Sequence, residues 1–261
     1  MKDAKRKMLG ALILLVFVMM VTVNALANIL PIAGIGTGDV SDAYPNLFAP
    51  AAITFSIWGV IYLLLLLFVL YSLGLFGKKG GFEAAKAASV PFIVSSLANT
   101  AWIFSWHYRI IPLSLALMLT ILISLMVAYV RIQKRSLSTA EKVFVRLPFS
   151  VYFGWITVAT IANVTTFLVD IGWNGFGVSE SIWMGVALIA ALIIGATTTM
   201  RFRDWAYGLV ILWAFAGIYI KHVTPAMFNS QYPLVIYTVM AVFALQLAAE
   251  LSTFLARRPK Q

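Results

Sequence analysis

Four asparagines, Asn24, Asn28, Asn99 and Asn163, lie inside apolar runs, where a carboxamide brings four hydrogen-bonding sites and finds no water to fill them. Two of them share a helix face with indoles. Asn99, Trp102 and Trp106 stand at i, i+3 and i+7, and Trp155 precedes Asn163 by a little over two turns, with Ala159 between them. Phe55, Trp58 and Tyr62 make a third face at the same spacing. Aromatic faces stack on a flat conjugated molecule, carboxamides orient it, and an alanine between two large groups leaves a recess, which is the make-up of an apolar ligand pocket with a few fixing groups. The same spacing describes plain helix packing and interfacial anchoring equally well, so spacing alone leaves both readings open. Asn24 and Asn28, four residues apart on one face, read as interhelical hydrogen-bonding groups worth about 0.6 to 2 kcal/mol each.

Covalent and metal chemistry find little to work with. The chain has no cysteine, which removes thiolate ligands and thiol nucleophiles. His107 and His222 fall on different spans, neither with a carboxylate at ligand spacing on its own helix, so no metal site is assigned. No triad or carboxylate pair marks a catalytic centre, no catalytic residue is assigned and no cofactor is required. No lysine sits mid-span to carry a retinal Schiff base. Gln246 and Glu250 share a face of the last span, and an intramembrane carboxylate is by default a functional candidate. Being five residues from Leu255, Glu250 is expected to approach the cytoplasmic interface or pair with Arg257 or Arg258.

The elements that must hold these groups follow from composition. A mean hydropathy of +0.96, with 62% hydrophobic and 11% charged residues, leaves too little polar surface to solvate a soluble globule, so the solvent is lipid. Apolar runs of this length without period-two alternation mean helices, because each backbone polar group must then bond internally. Eight spans are read: Met8 to Leu30, Pro50 to Phe76, Ala88 to Tyr108, Pro112 to Val130, Leu147 to Val169, Ile182 to Met200, Trp205 to Ile220 and Pro233 to Leu255. The expectation is an all-α integral membrane protein with eight transmembrane helices.

Its net charge of +10 is a matter of loop position, not of nucleic-acid binding. Lysines and arginines cluster at the N-terminus, in every second gap (Lys78, Lys79 and Lys86; Arg131 to Arg146; Arg201 and Arg203) and at the end (Arg257, Arg258 and Lys260), leaving only Arg109 and Lys221 outside. That alternation places both termini in the cytoplasm, and the basic loops meet anionic headgroups. Met1 to Ala27 also fits a signal peptide ending in Ala25-Leu26-Ala27, but the apolar run continues to Ile32, which favours a retained helix.

Among the connections, Pro31 to Ala49 is rich in glycine and proline and lacks a cation; it is either a lid or a flexible connector. Asp170 to Ser181 reads as an interfacial loop anchored by Trp173. The turn from His107 to Ile111 makes its flanking helices antiparallel neighbours, and Ser138 with Glu141 predicts a capping box, followed by a short interfacial helix. Small residues such as Gly185 and Gly195 permit close packing, within one chain or in a homodimer.

Phe55-Ser-Ile-Trp58 with Tyr62, Leu97-Ala-Asn99-Thr-Ala-Trp102, and Tyr152-Phe-Gly-Trp155 with Ala159 and Asn163 resemble the second, third and fifth helices of the TspO/MBR proteins. These are the tryptophan-rich sensory proteins related to the peripheral-type benzodiazepine receptor. The resemblance covers Met8 to Val169 and implies a five-helix bundle over residues 1–169, followed by three additional helices and a basic tail over 170–261. It implies a pocket, closed by the loop after the first helix, that binds porphyrins, sterols or synthetic aromatic ligands. The positions it matches are Trp58, Tyr62, Asn99, Trp102, Tyr152, Trp155, Ala159 and Asn163. The chain departs in keeping only Pro50 of a proline pair before the second helix, in a Phe55 to Trp58 interval one residue short, and in Pro148 standing three residues early. The expected function is a receptor or transporter in a bacterial cytoplasmic membrane, binding a hydrophobic planar ligand such as a tetrapyrrole or a sterol-like molecule. The alternatives are an ion-coupled secondary transporter of a small hydrophobic solute, with Glu250 or Asp170 carrying protons, and an enzyme degrading a tetrapyrrole.

Overall fold

The last helix shows what solvent this fold is built for. Between Pro233 and Leu255 it turns Val235, Val239, Val242, Gln246, Ala249, Glu250 and Thr253 inward and leaves Leu234, Tyr237, Met240, Leu245, Leu247, Leu251 and Phe254 exposed. An amide, a carboxylate and a hydroxyl inside, with leucine and phenylalanine outside, is the reverse of a water-soluble amphipathic helix and fits hydrocarbon around the chain. Eight helices are long and apolar enough to cross a membrane, and each corresponds to one of the eight spans read from sequence. No strand occurs among the described residues. The computed structural model describes residues 2–30, 32–76 and 82–255, without the side chains of residues 2–6 and 82. Pro31, Lys78, Lys79, Arg257, Arg258 and Lys260, which the sequence reading invoked, lie outside the described residues.

Contacts divide the chain into two compact units, Met1–Ala43 with Ile57–Ile156, and Tyr44–Ser56 with Thr157–Gln261. The first unit contains α1 (Lys2–Ile29), the short α2 (Thr37–Asp42), α3 (Ile57–Ser72), α4 (Phe82–His107) and α5 (Ile111–Gln133). It is completed by the single turn α6 (Thr139–Glu141) and the start of α7 (Leu147–Asp170). Helix α1 buries Ile13, Val16, Phe17, Met20, Asn24 and Ala27, a stripe at helical period that packs on α4 and α3. A three-residue connection, Tyr108 to Ile110, with Arg109 at φ 56° folds α5 back along α4 as the short turn predicts. Helix α4 begins six residues before the sequence reading placed it. Its first turns carry Glu83 and Lys86, which mimic a loop in composition, and Pro91 is accommodated inside the helix.

The capping box forms as expected: the Glu141 amide donates to Ser138 Oγ at 3.2 Å and the Ser138 amide to Glu141 Oε2 at 2.9 Å. A separate interfacial helix does not follow. The chain continues through a π-turn at Lys142–Arg146 directly into α7, so one helical stretch runs over Thr139–Asp170. The rings of Phe68, Phe92 and Phe149 meet edge to face with centroids 4.9 to 6.1 Å apart, closing the basic end of this unit's core.

The second unit contains the rest of α7, α8 (Glu180–Phe202), α9 (Trp205–Val223) and α10 (Pro233–Leu255), with the Tyr44–Ser56 segment laid on them. That segment is stitched to α9 at three levels. The Ala51 amide donates to the Gly217 carbonyl at 3.0 Å, the Trp213 indole N–H to the Thr54 carbonyl at 2.9 Å, and His222 Nε2 to the Leu47 carbonyl at 3.0 Å. Glycine is required at two places. A Cβ on Gly217 would run into the Thr54 side chain, and one on Gly208 into Glu250 Oε1. Helix backbones and side chains approach so closely here because these residues have no side chain.

Candidate functional site

In the first unit the buried carboxamides find each other. Asn99, fully buried on α4, accepts from Asn24 Nδ2 of α1 at 2.7 Å and donates to the Tyr152 hydroxyl of α7 at 3.4 Å. Asn24 also donates to the Met20 carbonyl at 2.8 Å, whereas Asn28 folds back on the Asn24 carbonyl of its own helix. A relay through α1, α4 and α7 thus replaces water for groups that hydrocarbon would leave unsatisfied. One turn before Asn99, Ser96 buries its hydroxyl with no hydrogen-bond partner among the described residues.

Aromatic rings converge on this relay. Trp58 of α3 stacks on Tyr62 at 5.5 Å and meets Tyr152 and Trp155 of α7 edge to face at 6.0 and 6.4 Å. Such pairs add about 0.5 to 1.5 kcal/mol each beyond burial. Tyr152 and Trp155 are buried, while Trp58 and Tyr62 are half-buried, so the accessible side of the cluster is the α3 side. On α4, Trp102 and Trp106 are buried and stacked at 5.4 Å. Seven of the residues singled out from sequence therefore lie in this unit, in two groups: Trp58, Tyr62, Tyr152 and Trp155 meet ring to ring with Asn99 bonded to Tyr152, while Trp102 and Trp106 stack on each other.

The segment after α1 folds over the end of α4. The Trp106 indole N–H donates to the Thr37 carbonyl at 3.1 Å, and His107 places Nε2 2.9 Å from Thr37 Oγ1 and Nδ1 3.2 Å from the Ile32 carbonyl. The segment is therefore folded back on α4 and held there by two side-chain bonds to Thr37 of α2 and a third to Ile32 just before it. Asn24, Thr37 and His107 are the residues of this region that the sequence reading did not place in the site. Asn24 had the same signal as Asn99, a carboxamide deep in an apolar run; nothing in the sequence pairs Thr37 with His107.

Phe55, Ala159 and Asn163 belong to the second unit. Asn163 is buried and donates to the Ala159 carbonyl one turn back at 3.1 Å. This unit contains a cavity of about 540 Å³ between the second half of α7, the start of α8 and the loops at 45–48 and 173–178. Its walls are mostly aliphatic and aromatic, among them Val164, Leu168, Trp173, Trp183, Met184 and Ala187. The loop anchor expected at Trp173 is in fact a cluster: Trp173 packs on Trp183 at 4.8 Å and on Phe176 at 5.6 Å, and the Trp183 N–H donates to the Gly175 carbonyl at 2.9 Å.

Deeper along α10, Gln246 donates to Thr199 Oγ1 at 3.2 Å and is fully buried. Glu250 is turned inward, 7% exposed, with Oε1 against Gly208. This inward direction differs from the approach to the interface expected from sequence, while the alternative partners Arg257 and Arg258 lie outside the described residues. The glycines at 195 and 208 explain the difference, since they open the space its face of α10 fills. No group of three or more metal-ligating side chains occurs among the described residues.

No curated protein and no solved structure matches the chain significantly. A family model described as TSPO-like protein matches residues 10–252, which takes in the last three helices as well as the first five, three of which carry the quoted tryptophan and asparagine motifs. With nearly its whole length aligned to that model, this chain belongs to the TSPO-like protein family.

Proposed function

We propose that this membrane protein of the TspO kind is a receptor or carrier for a hydrophobic planar ligand, of tetrapyrrole or sterol-like shape, held at the aromatic and amide cluster of the first unit. The observation that carries the reading is Asn99: a fully buried carboxamide fixed from both sides by Asn24 and Tyr152, with Trp58, Tyr62 and Trp155 around the same tyrosine. A polar group held rigidly among indoles is suited to orienting a flat molecule while the rings supply contact area. The buried Ser96 hydroxyl offers a further donor. Because the rings already touch, ligand entry requires Trp58 and Tyr62, the half-buried pair, to part, and the tied-down α2 then closes over the end of α4. Ligand in place of self-contact exchanges one apolar neighbour for another at small cost.

Purified full-length protein titrated with protoporphyrin IX tests this. Saturable quenching of tryptophan fluorescence is expected, weakened about tenfold by Trp155→Ala and about fivefold by Asn99→Leu. Unchanged affinity in both variants, with the protein still folded, defeats the reading.

A second reading, ion-coupled transport of a small hydrophobic solute, draws on Glu250. A carboxylate buried beside Gln246 and Thr199 in a membrane helix is placed as proton carriers are. In proteoliposomes, Glu250→Gln would then abolish the pH dependence of solute uptake; uptake that keeps its full pH profile excludes this reading.

A further inference from the structure

The cavity of the second unit has a composition that the planar-ligand site does not share. Its volume of about 540 Å³ falls in the range of small-molecule pockets. Its polar side-chain atoms are mostly committed within the protein. Asn46 Oδ1 accepts from the Phe48 and Ala49 amides at 3.0 and 2.9 Å, Asn174 Oδ1 accepts from the Phe176 amide at 3.0 Å, and Thr165 donates to the Ala162 carbonyl at 2.8 Å. Glu180 differs. It is exposed at the first turn of α8, lines the cavity, and makes no side-chain hydrogen bond or ion pair among the described residues. Between Arg146 and Arg201 the sequence contains no lysine or arginine, so no cation on the lining stretches of α7 and α8 stands near that charge, and the partial positive charge of the α8 N-terminus, about half a unit, offsets only part of it.

An apolar chamber with one partly compensated carboxylate at its edge selects for sign. We infer that it is a second binding site, for an amphiphile with a single apolar chain and a protonated amine head: the chain lies among Val164, Leu168, Met184 and Ala187, and the ammonium pairs with Glu180. An anionic head would be repelled by Glu180, and a neutral head would gain only the apolar contact. All lining residues belong to the second unit, so the inference does not rest on the planar-ligand site and survives a failure of porphyrin binding.

The test compares dodecylamine, dodecanol and dodecanoate, equal in chain and different in head charge. Saturable binding to the full-length protein in phosphatidylcholine nanodiscs is measured above that of empty nanodiscs. Dodecylamine is expected to bind on the order of tenfold tighter than dodecanol, with dodecanoate weakest. Glu180→Gln, a change at an exposed position, is expected to bring the amine down to the alcohol and leave the alcohol unchanged. Ala187→Trp, which fills the chamber, is expected to abolish saturable binding of all three. Equal affinity for amine and alcohol in the unmodified protein overturns the inference, as does an amine preference that persists in Glu180→Gln or amine binding untouched by Ala187→Trp.

Discussion

The two units solve the same problem, holding polar groups in hydrocarbon, by different means. In the first, side chains reach across helices to each other: Asn24 to Asn99, Asn99 to Tyr152, Trp106 and His107 to the α2 segment. In the second, such bonds occur too, as from Gln246 to Thr199, but they are joined by close approaches at missing side chains: Gly208 admits Glu250, Gly217 admits Thr54, and backbone carbonyls of residues 47, 54 and 217 take part in the stitching of Tyr44–Ser56 to α9. Side-chain relays tolerate adjustment, because a rotamer can change while the helices stay in place. The approach at Gly217 tolerates less, since a Cβ fixed by α9 would meet the short Thr54 side chain down to its own Cβ, whereas at Gly208 the nearest atom is the movable end of Glu250.

Substitutions at three positions, with Asn24 as the partner in one cycle, probe that contrast. The largest effect is expected at Gly217. Gly217→Leu places a branched side chain where Thr54 sits, and overpacking of this kind costs about 3 kcal/mol, read as a fall of several degrees in Tm and loss of yield in detergent. A stability equal to wild type would show that the Tyr44–Ser56 segment adjusts freely, against the contrast drawn here. Next, Asn99→Leu removes both ends of the relay at once and is expected to cost about 1 to 2 kcal/mol. A double-mutant cycle with Asn24→Leu should return a coupling of roughly 0.6 to 1.7 kcal/mol, and zero coupling would mean the two amides do not depend on each other. The smallest effect is expected for Trp213→Phe, which deletes the indole donor to Thr54 while keeping an aromatic ring, at about 0.6 kcal/mol. A cost at Trp213 exceeding that at Gly217 would reverse the ranking of side-chain bonds and backbone proximity in the second unit.

What could be read from the sequence followed from the strongest physical constraint on it. Hydrocarbon forbids unsatisfied backbone, so each apolar run had to be a helix, and the eight helices stand where hydropathy placed them. The same constraint marked Asn99 as a residue in need of a partner, whereas the placing of Tyr152 with Trp58 and Trp155 was implied by the resemblance to the TspO/MBR proteins. What was not legible is carried by backbone or by emptiness. The Ala51 amide bonding the Gly217 carbonyl leaves no trace in either residue's identity. The direction of Glu250 depends on glycines of two other helices, which a reading of α10 alone could not weigh. The extra turns at the start of α4 were hidden because Glu83 and Lys86 resemble a loop when the helix emerges from the apolar region. The cavity beside Trp183 arises from the meeting of two loops and two helices distant in the chain, so no local pattern announces it.

The docking of α1 has a consequence as the chain matures. Ala25, Leu26 and Ala27 are wound into regular helix, Ala27 is fully covered, and Asn24 immediately before them is bonded to α4. A peptidase cuts accessible chain that it can draw into its cleft, and a docked helix offers none. Once the Asn24 amide has met Asn99, the triplet is held in helical form, with Ala27 covered and Ala25 and Leu26 still exposed. Docking of α1 on α4 therefore opposes cleavage at this triplet by keeping it from unwinding into an extended strand.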